Sequence, residues 1–207
     1  MPLEVLAAFF AVSLLLALSP GPDNLFVLTQ SALSGPRAGL FVTAGLCTGL
    51  VVHTSAVALG VAVIFRTSAV AFTLLKIAGA VYLLYLAWLA FRAPAGAPRA
   101  GRRDAVQGHR LYLRGIVMNV TNPKVSIFFL AFLPQFADPA RGPLVLQILL
   151  LGAVFAVSTV LVFGSVALFA GAIGRRLQRS AGVQAAMSRI AGCVFALLAL
   201  KLLMTER

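Results

Sequence analysis

The sequence predicts an all-α polytopic membrane protein, six transmembrane helices forming a 3+3 inverted-topology repeat in which the first helix of each half is broken. Composition, the lengths of the apolar runs and two proline-containing interruptions carry that prediction. Of the 207 residues, 61% are hydrophobic and 11% charged, and the mean hydropathy is +1.01. Soluble domains are about 45–50% apolar and about 25% charged, so this chain has too few polar groups to cover a water-facing surface. Apolar runs at 3–33, 39–65, 68–91, 112–136, 143–173 and 182–204 are each long enough to cross a hydrocarbon core of about 30 Å. Six helices of about 20–25 residues use roughly 120–150 positions, which leaves short loops and no room for an extramembrane catalytic domain. The runs lack the ten-residue alternation of a membrane β-barrel.

The elements follow in order. Run 3–33 would extend roughly 46 Å as one straight helix, beyond the core thickness, and a break near Pro20 absorbs the excess. Its Met1-Pro2-Leu3-Glu4 start lacks the positive charge of a secretory signal, and Pro20 directly follows the sole Ala17-Leu18-Ser19 cleavage candidate, so the run is expected to be kept as a span. The second run opens at Gly35-Pro36; its Gly45 and Gly49, four apart, predict close helix approach, and its His53 is expected to be a packing residue for want of an acidic companion. Tyr82, Tyr85 and Trp88 end the third run as an interfacial aromatic belt, and Lys76 and Lys201 are expected to reach out to the opposite interface. Residues 93–109 read as a flexible linker that divides a single transport domain, 1–207, into pseudo-repeats 1–92 and 110–207. The fifth run opens at Gly142-Pro143 and carries Gly164, Gly171 and Gly174, again read as helix-packing positions. Cys47 and Cys193 both lie in apolar runs and read as packing residues, with neither a disulfide nor a metal spacing.

Charge sets the orientation. Of seventeen Lys and Arg, eleven fall on one side: Arg37, then Arg92, Arg99, Arg102, Arg103, Arg110 and Arg114, then Arg175, Arg176, Arg179 and Arg189. Cytoplasmic loops accumulate such residues, so both termini are expected to face away from the cytoplasm. The net charge of +12 would suit nucleic acid only if it formed a face on a soluble domain, whereas here it sits between spans and meets anionic lipid of the bilayer.

Each half begins with an interrupted run: Ser19-Pro20-Gly21-Pro22-Asp23-Asn24 in the first and Asn119-Val120-Thr121-Asn122-Pro123-Lys124 in the second. Three spans per half is an odd number, so the second copy enters the membrane in the opposite sense. Proline frees backbone carbonyls where no water can satisfy them, and such breaks persist only against a cavity or packed protein. A half-helix starting at Asp23 would point free N–H groups and a positive dipole end into the break, suited to a carboxylate. Of five acidic residues only Asp23 lies within a span, and Lys124 occupies the matching break of the other half. The pair reads either as a structural ion pair that locks the halves together or as a gate in which Asp23 couples transport to protons. The substrate-binding set predicted from the breaks is Pro20, Gly21, Pro22, Asp23 and Asn24 with Asn122, Pro123 and Lys124.

These residues resemble a known family. Pro20-Gly21-Pro22-Asp23-Asn24, Gly35-Pro36-Arg37-Ala38-Gly39 with Gly45 and Gly49, and Asn122-Pro123-Lys124 through Phe128-Phe129 to Phe132-Leu133-Pro134-Gln135-Phe136 are similar, in order and spacing, to the LysE/RhtB superfamily of bacterial amino-acid exporters. The resemblance implies an inner-membrane protein that expels amino acids by exchange with protons and works as a homodimer. Within the family, the basic-amino-acid branch carries Gly-Pro-Gln-Asn and Asn-Pro-Asn with an acid four positions later, where this chain has Asp23, Lys124 and Phe128. Lys124 repels a cationic substrate and Phe128 offers no counter-charge, so the homoserine/threonine-type branch and a neutral or aliphatic amino acid such as threonine, homoserine or leucine fit better.

Other classes fare worse. A hydrolase needs a nucleophile, a base and an orienting group, but His53 and Ser55 point to different helix faces and no second buried carboxylate is on offer. A cation exporter needs clustered ligands, and here they are isolated, so no metal or other cofactor is expected, and no enzyme. Export of another small metabolite or cation remains the alternative, with an intramembrane enzyme behind it.

Overall fold

The computed structural model describes residues 1–19, 21–67, 69–92, 108–170 and 181–204; these are almost entirely helical, with no strand among them. Helix α1 (Leu3–Leu18) is uniformly apolar and stops at Ser19, which is extended at φ −62°, ψ 128°. Helix α2 (Pro22–Ser34) restarts on a proline, whose missing N–H has no partner to lose at a first helical position, and it leaves α1 at a bend of 61°. Gly35 then adopts φ 87°, ψ 172°, backbone essentially restricted to glycine, and Pro36 starts α3 (Pro36–Thr67). Helix α4 covers Ala69–Arg92.

The second half repeats this order. Helix α5 (Gly108–Val120) breaks at Thr121-Asn122, and α6 (Pro123–Ile127) runs on through a π turn at Phe128–Phe132 and a 3₁₀ turn at Leu133–Phe136, bent 50° from α5. After a short 3₁₀ turn (Pro139–Arg141), Gly142 takes φ 114°, ψ −168°, and Pro143 leads into α7 (Leu144–Phe169). Helix α8 covers Ala181–Met204. Gly35 and Gly142, at matching places in the two halves, are the two residues with positive φ among those described.

Packing crosses between the halves. Helix α1 lies on α7 and α5 lies on α3, while α3 packs on α7 and α4 on α8. One buried cluster gathers Phe9, Phe128, Phe129, Phe132, Leu16 and Leu151; a second gathers Val27, Val42, Leu46, Leu111 and Phe163. The outside is apolar too, with Leu59, Val117, Leu146 and Leu168 exposed, as expected where lipid rather than water is the solvent. Pro36–Gly60 and Leu144–Phe169 are each long and apolar enough to cross a membrane, and each bent pair passes as one broken span, which gives two to four spans among the described residues.

The glycines separate into those that pack and those that do not. A Cβ on Gly115 would stand 2.5 Å from the carbonyl of Val42, and one on Gly45 would run into the carbonyl of Tyr112, so α3 and α5 cross backbone to backbone. Gly49 leaves room for Asn119. Gly164 departs from its expected role, because a Cβ there meets nothing within 4 Å. Cys193 likewise is exposed rather than packed. Tyr85 stacks on Trp88 at 6.1 Å and the Arg92 guanidinium sits 4.7 Å over the indole, so that part of the aromatic belt is built with a cation over it. Pro20, residues 93–107 of the linker, Gly171, Gly174, Arg175, Arg176 and Arg179, and the side chains of Arg66, Lys76, Tyr82 and Lys201 lie outside the described residues.

Candidate functional site

The two breaks meet, and each is held by side chains that answer freed backbone groups. At the first, Asn24 Nδ2 donates to the Ala17 carbonyl at 2.8 Å. The Ser19 carbonyl and hydroxyl are both taken by the other half, through Lys124 Nζ at 2.9 and 3.1 Å. At the second break Asn122 caps α6, its Oδ1 accepting from the Lys124 N–H at 3.0 Å. Gly21, the equivalent residue before α2, supplies no side-chain cap. The N-terminus of α2 therefore lacks the side-chain cap that Asn122 gives α6, and Asp23 is the one charge in its first turn.

Asp23, in the first turn of α2, is 5% exposed. Its Oδ2 accepts from Asn119 Nδ2 at 3.3 Å, while its Oδ1 and the Oδ1 of Asn119 are buried without a hydrogen-bond partner. Two orphaned acceptors side by side in an apolar setting are costly, about 1–3 kcal/mol each and more for a charge, and they call for a donor. The direct Asp23–Lys124 ion pair expected from the sequence is replaced by a wider arrangement. Among the described residues Asp23 makes no ion pair within 4 Å, whereas Lys124 engages Ser19 and each charge lies in the field of the other.

His53 packs beside this network with its ring satisfied by a backbone carbonyl. Its Nε2 lies 3.0 Å from the Asn119 carbonyl, which only accepts, so the proton is on Nε2; the ring leans on Phe129 at 5.7 Å, and Asp23 is within electrostatic reach. The sequence showed no acid because the two residues are on different helices and meet only through the fold.

Gly21, Asp23, Asn24, Asn122 and Lys124 all face one small cavity of about 20 Å³, with Asn119 beside them. That is room for about one water molecule. Leu16, Ala17, Val125, Phe155, Thr159 and Phe163 complete its wall. Pro22 and Pro123 are exposed and start their helices without lining the cavity, and Pro20 is not described. Sequence reasoning missed Asn119, although it stands in the same polar interruption one helical turn before Asn122. It also missed Ser19 as the seat of Lys124, and the α7 residues, which sit in an unbroken apolar run.

A column of rings leads away from the cavity. Phe155 packs on Phe128 at 5.5 Å, Phe128 on Phe132 at 5.0 Å and Phe132 on Phe136 at 5.2 Å. Phe136 lines an open recess of about 390 Å³ that also holds Glu4, Gln135 and the exposed Asp138–Arg141 ion pair. The recess rim is fixed by buried Gln147, which accepts from the Asp138 N–H and donates to the carbonyls of Asp138 and Gly142.

Paired broken helices around orphaned polar atoms are the build of a transport site, and residues 14–206 match the family model described as LysE type translocator. The chain belongs to the LysE-type translocator family. It is a membrane transport protein and not an enzyme. The translocator is 38% identical over 145 residues, 70% of each chain, to the homoserine/homoserine lactone efflux proteins of Salmonella typhi and Salmonella typhimurium. It is 31% identical over 196 residues, 94% of each chain, to an uncharacterized membrane protein of Vibrio cholerae. No solved structure gives a match.

Proposed function

We propose that this translocator exports small neutral amino acids of the threonine, homoserine and leucine kind from the cytoplasm across the inner membrane, in exchange for protons. The observation that carries this reading is the pair of buried, unpartnered acceptors, Asp23 Oδ1 and Asn119 Oδ1, facing Lys124 across the cavity where the two breaks meet. A zwitterion supplies what is missing. Its ammonium donates to Asp23 and Asn119; its carboxylate takes the uncapped N-terminus of α2 and displaces Ser19 from Lys124. The efflux activity named for the Salmonella relatives favours the same class.

The exchanged packing, α1 on α7 and α5 on α3, together with Gly35 and Gly142 at matching turns, supports a 3+3 inverted repeat with six spans. About 20 Å³ is too small for any amino acid, which supports a closed state that opens when one half rocks against the other. With the basic connections in the cytoplasm and both termini outside, the ring column closes the outward path and the recess at Glu4 and Asp138 is the exit. Asp23 carries the counter-transported proton once the substrate ammonium has left, and two copies assemble as a homodimer.

Uptake of radiolabelled threonine, homoserine or leucine into inside-out vesicles under a pH gradient tests the reading. The expected result is gradient-dependent uptake that is lost in Asp23→Asn and Lys124→Ala. Absence of uptake for every neutral amino acid, or full activity in both variants, overturns it.

A further inference from the structure

We propose that Thr159 is the residue that selects the substrate side chain, favouring amino acids with a hydroxyl on the β or γ carbon over aliphatic ones of the same shape. This rests on the reading of the cavity as the substrate site. Ser13, Ser31, Thr43, Thr54 and Ser158, buried hydroxyls in helices, each donate to the carbonyl four residues back, at 2.6–3.0 Å. That back-bond is the usual refuge of a hydroxyl in an apolar helix. Buried Ser19 accepts from Lys124 instead.

Thr159 is the exception among the buried hydroxyls of the described residues. It is 2% exposed, makes no hydrogen bond to them, and borders the cavity. Its neighbour Ser158 back-bonds to Val154, so the helix backbone here accepts such bonds.

The position fits a specificity role. Phe155, Thr159 and Phe163 recur every four residues and so share one face of α7, with Thr159 between the two phenylalanines in sequence. Asp23, Asn119 and Lys124 hold the two charged groups common to all amino acids, and the side chain then meets a wall of Leu16, Ala17, Val125 and the two rings. Thr159 is the one polar residue on that wall. A hydroxyl both donates and accepts, and so pairs with an alcohol oxygen of either polarity. A methyl in the same place leaves the threonine hydroxyl buried and unmet, which is how a site rejects an isostere that lacks the group.

The test uses isosteric pairs, threonine against valine and homoserine against norvaline, in inside-out vesicles holding the full chain. The wild type is expected to favour the hydroxylated member of each pair, and Thr159→Val to lower that ratio roughly tenfold, the scale of one hydrogen bond, while Thr159→Ser keeps it. Because the readout is a ratio within one variant, a general loss of activity cancels. Should Thr159→Val give no folded protein, Thr159→Ala takes its place with the same expectation. Equal ratios in the wild type and the variants lacking the hydroxyl, or a wild type that moves both members of each pair alike, overturn the assignment of Thr159 and leave the transport reading intact. A wild type that moves no neutral amino acid overturns that reading instead.

Discussion

At both breaks a helix restarts on a proline, Pro22 in the first half and Pro123 in the second, yet the two new N-termini are finished differently. In the second half Asn122 closes its own helix and Lys124, two residues on, sends its charge across to Ser19 of the first half. In the first half Gly21 closes nothing, and Asp23 receives a hydrogen bond from Asn119 of the second half, with the Asn122 side chain also in reach of the carboxylate, while its Oδ1 goes unanswered. Two similarly broken helices thus yield one finished end and one open end. The open end is the one with the acid, and a site that must bind and release a ligand needs such unmet valence on one side only. A fully satisfied pair of breaks would be a rigid knot, and two open ones would be too costly to bury.

The largest expected effect lies at the open end. Asp23→Asn removes the charge that is proposed to meet the substrate ammonium, and on that reading transport should fall by about a hundredfold or more, the scale of losing one partner of a buried charge-assisted contact. Stability should change little, because a carboxylate with one unpartnered oxygen is replaced by a neutral group of the same shape while Lys124 keeps Ser19 but loses the field of its counter-charge. Vesicle uptake and thermal melting of the purified protein in detergent separate the two effects; a loss of folding together with transport would make Asp23 a structural anchor.

The features shared by the halves should respond alike. Gly35 and Gly142 have backbone angles essentially closed to other residues, and a Cβ at either meets nothing within 4 Å. Gly35→Ala and Gly142→Ala should therefore each cost about 1–3 kcal/mol from backbone strain alone, seen as similar drops in melting temperature. Unequal drops would break the parallel between the turns.

How much of this was legible in the sequence follows from the same contrast. Proline and glycine act locally, so the breaks at Pro22 and Pro123 and the turns at Gly35 and Gly142 could be read residue by residue. Asp23, Asn24, Asn122 and Lys124 stood out because polar groups are scarce in the runs. What could not be read was reach. Lys124 lies close enough to Asp23 to invite a pair, but its ammonium settles on a carbonyl that the break itself set free. Asn119 and His53 join the site only because Gly49 lets α5 approach α3 closely. Thr159 sits in a helix so evenly apolar that no face is marked in advance, and it stands out only because the other buried hydroxyls are satisfied.

The cap itself comes next. Asn122→Ala removes the acceptor for the Lys124 N–H and should cost about 1 kcal/mol of stability, as N-cap deletions do. It should also leave two N-termini open, so that a substrate carboxylate has a second place to go and the apparent affinity weakens rather than the maximal rate. A drop in maximal rate with unchanged affinity would mean that Asn122 acts in the moving step and not as a cap.

The smallest effect is the most discriminating. Gly21→Asn installs at the first break the cap that the second already has. The position is extended, at φ −172°, ψ 176°, and a Cβ there comes no closer than 3.4 Å to Lys124 Nζ, an ordinary contact. The new side-chain oxygen should satisfy the first-turn N–H groups of α2 and raise stability by about 0.5 kcal/mol. It would occupy the same groups that are proposed to take the substrate carboxylate, so affinity for threonine or homoserine should weaken severalfold while the protein melts higher. Stability and affinity moving in opposite directions would tie the open end of α2 to the ligand. A variant that melts higher with unchanged affinity would instead place the carboxylate on Lys124 alone, and the difference between the two breaks would then be one of stability without consequence for binding.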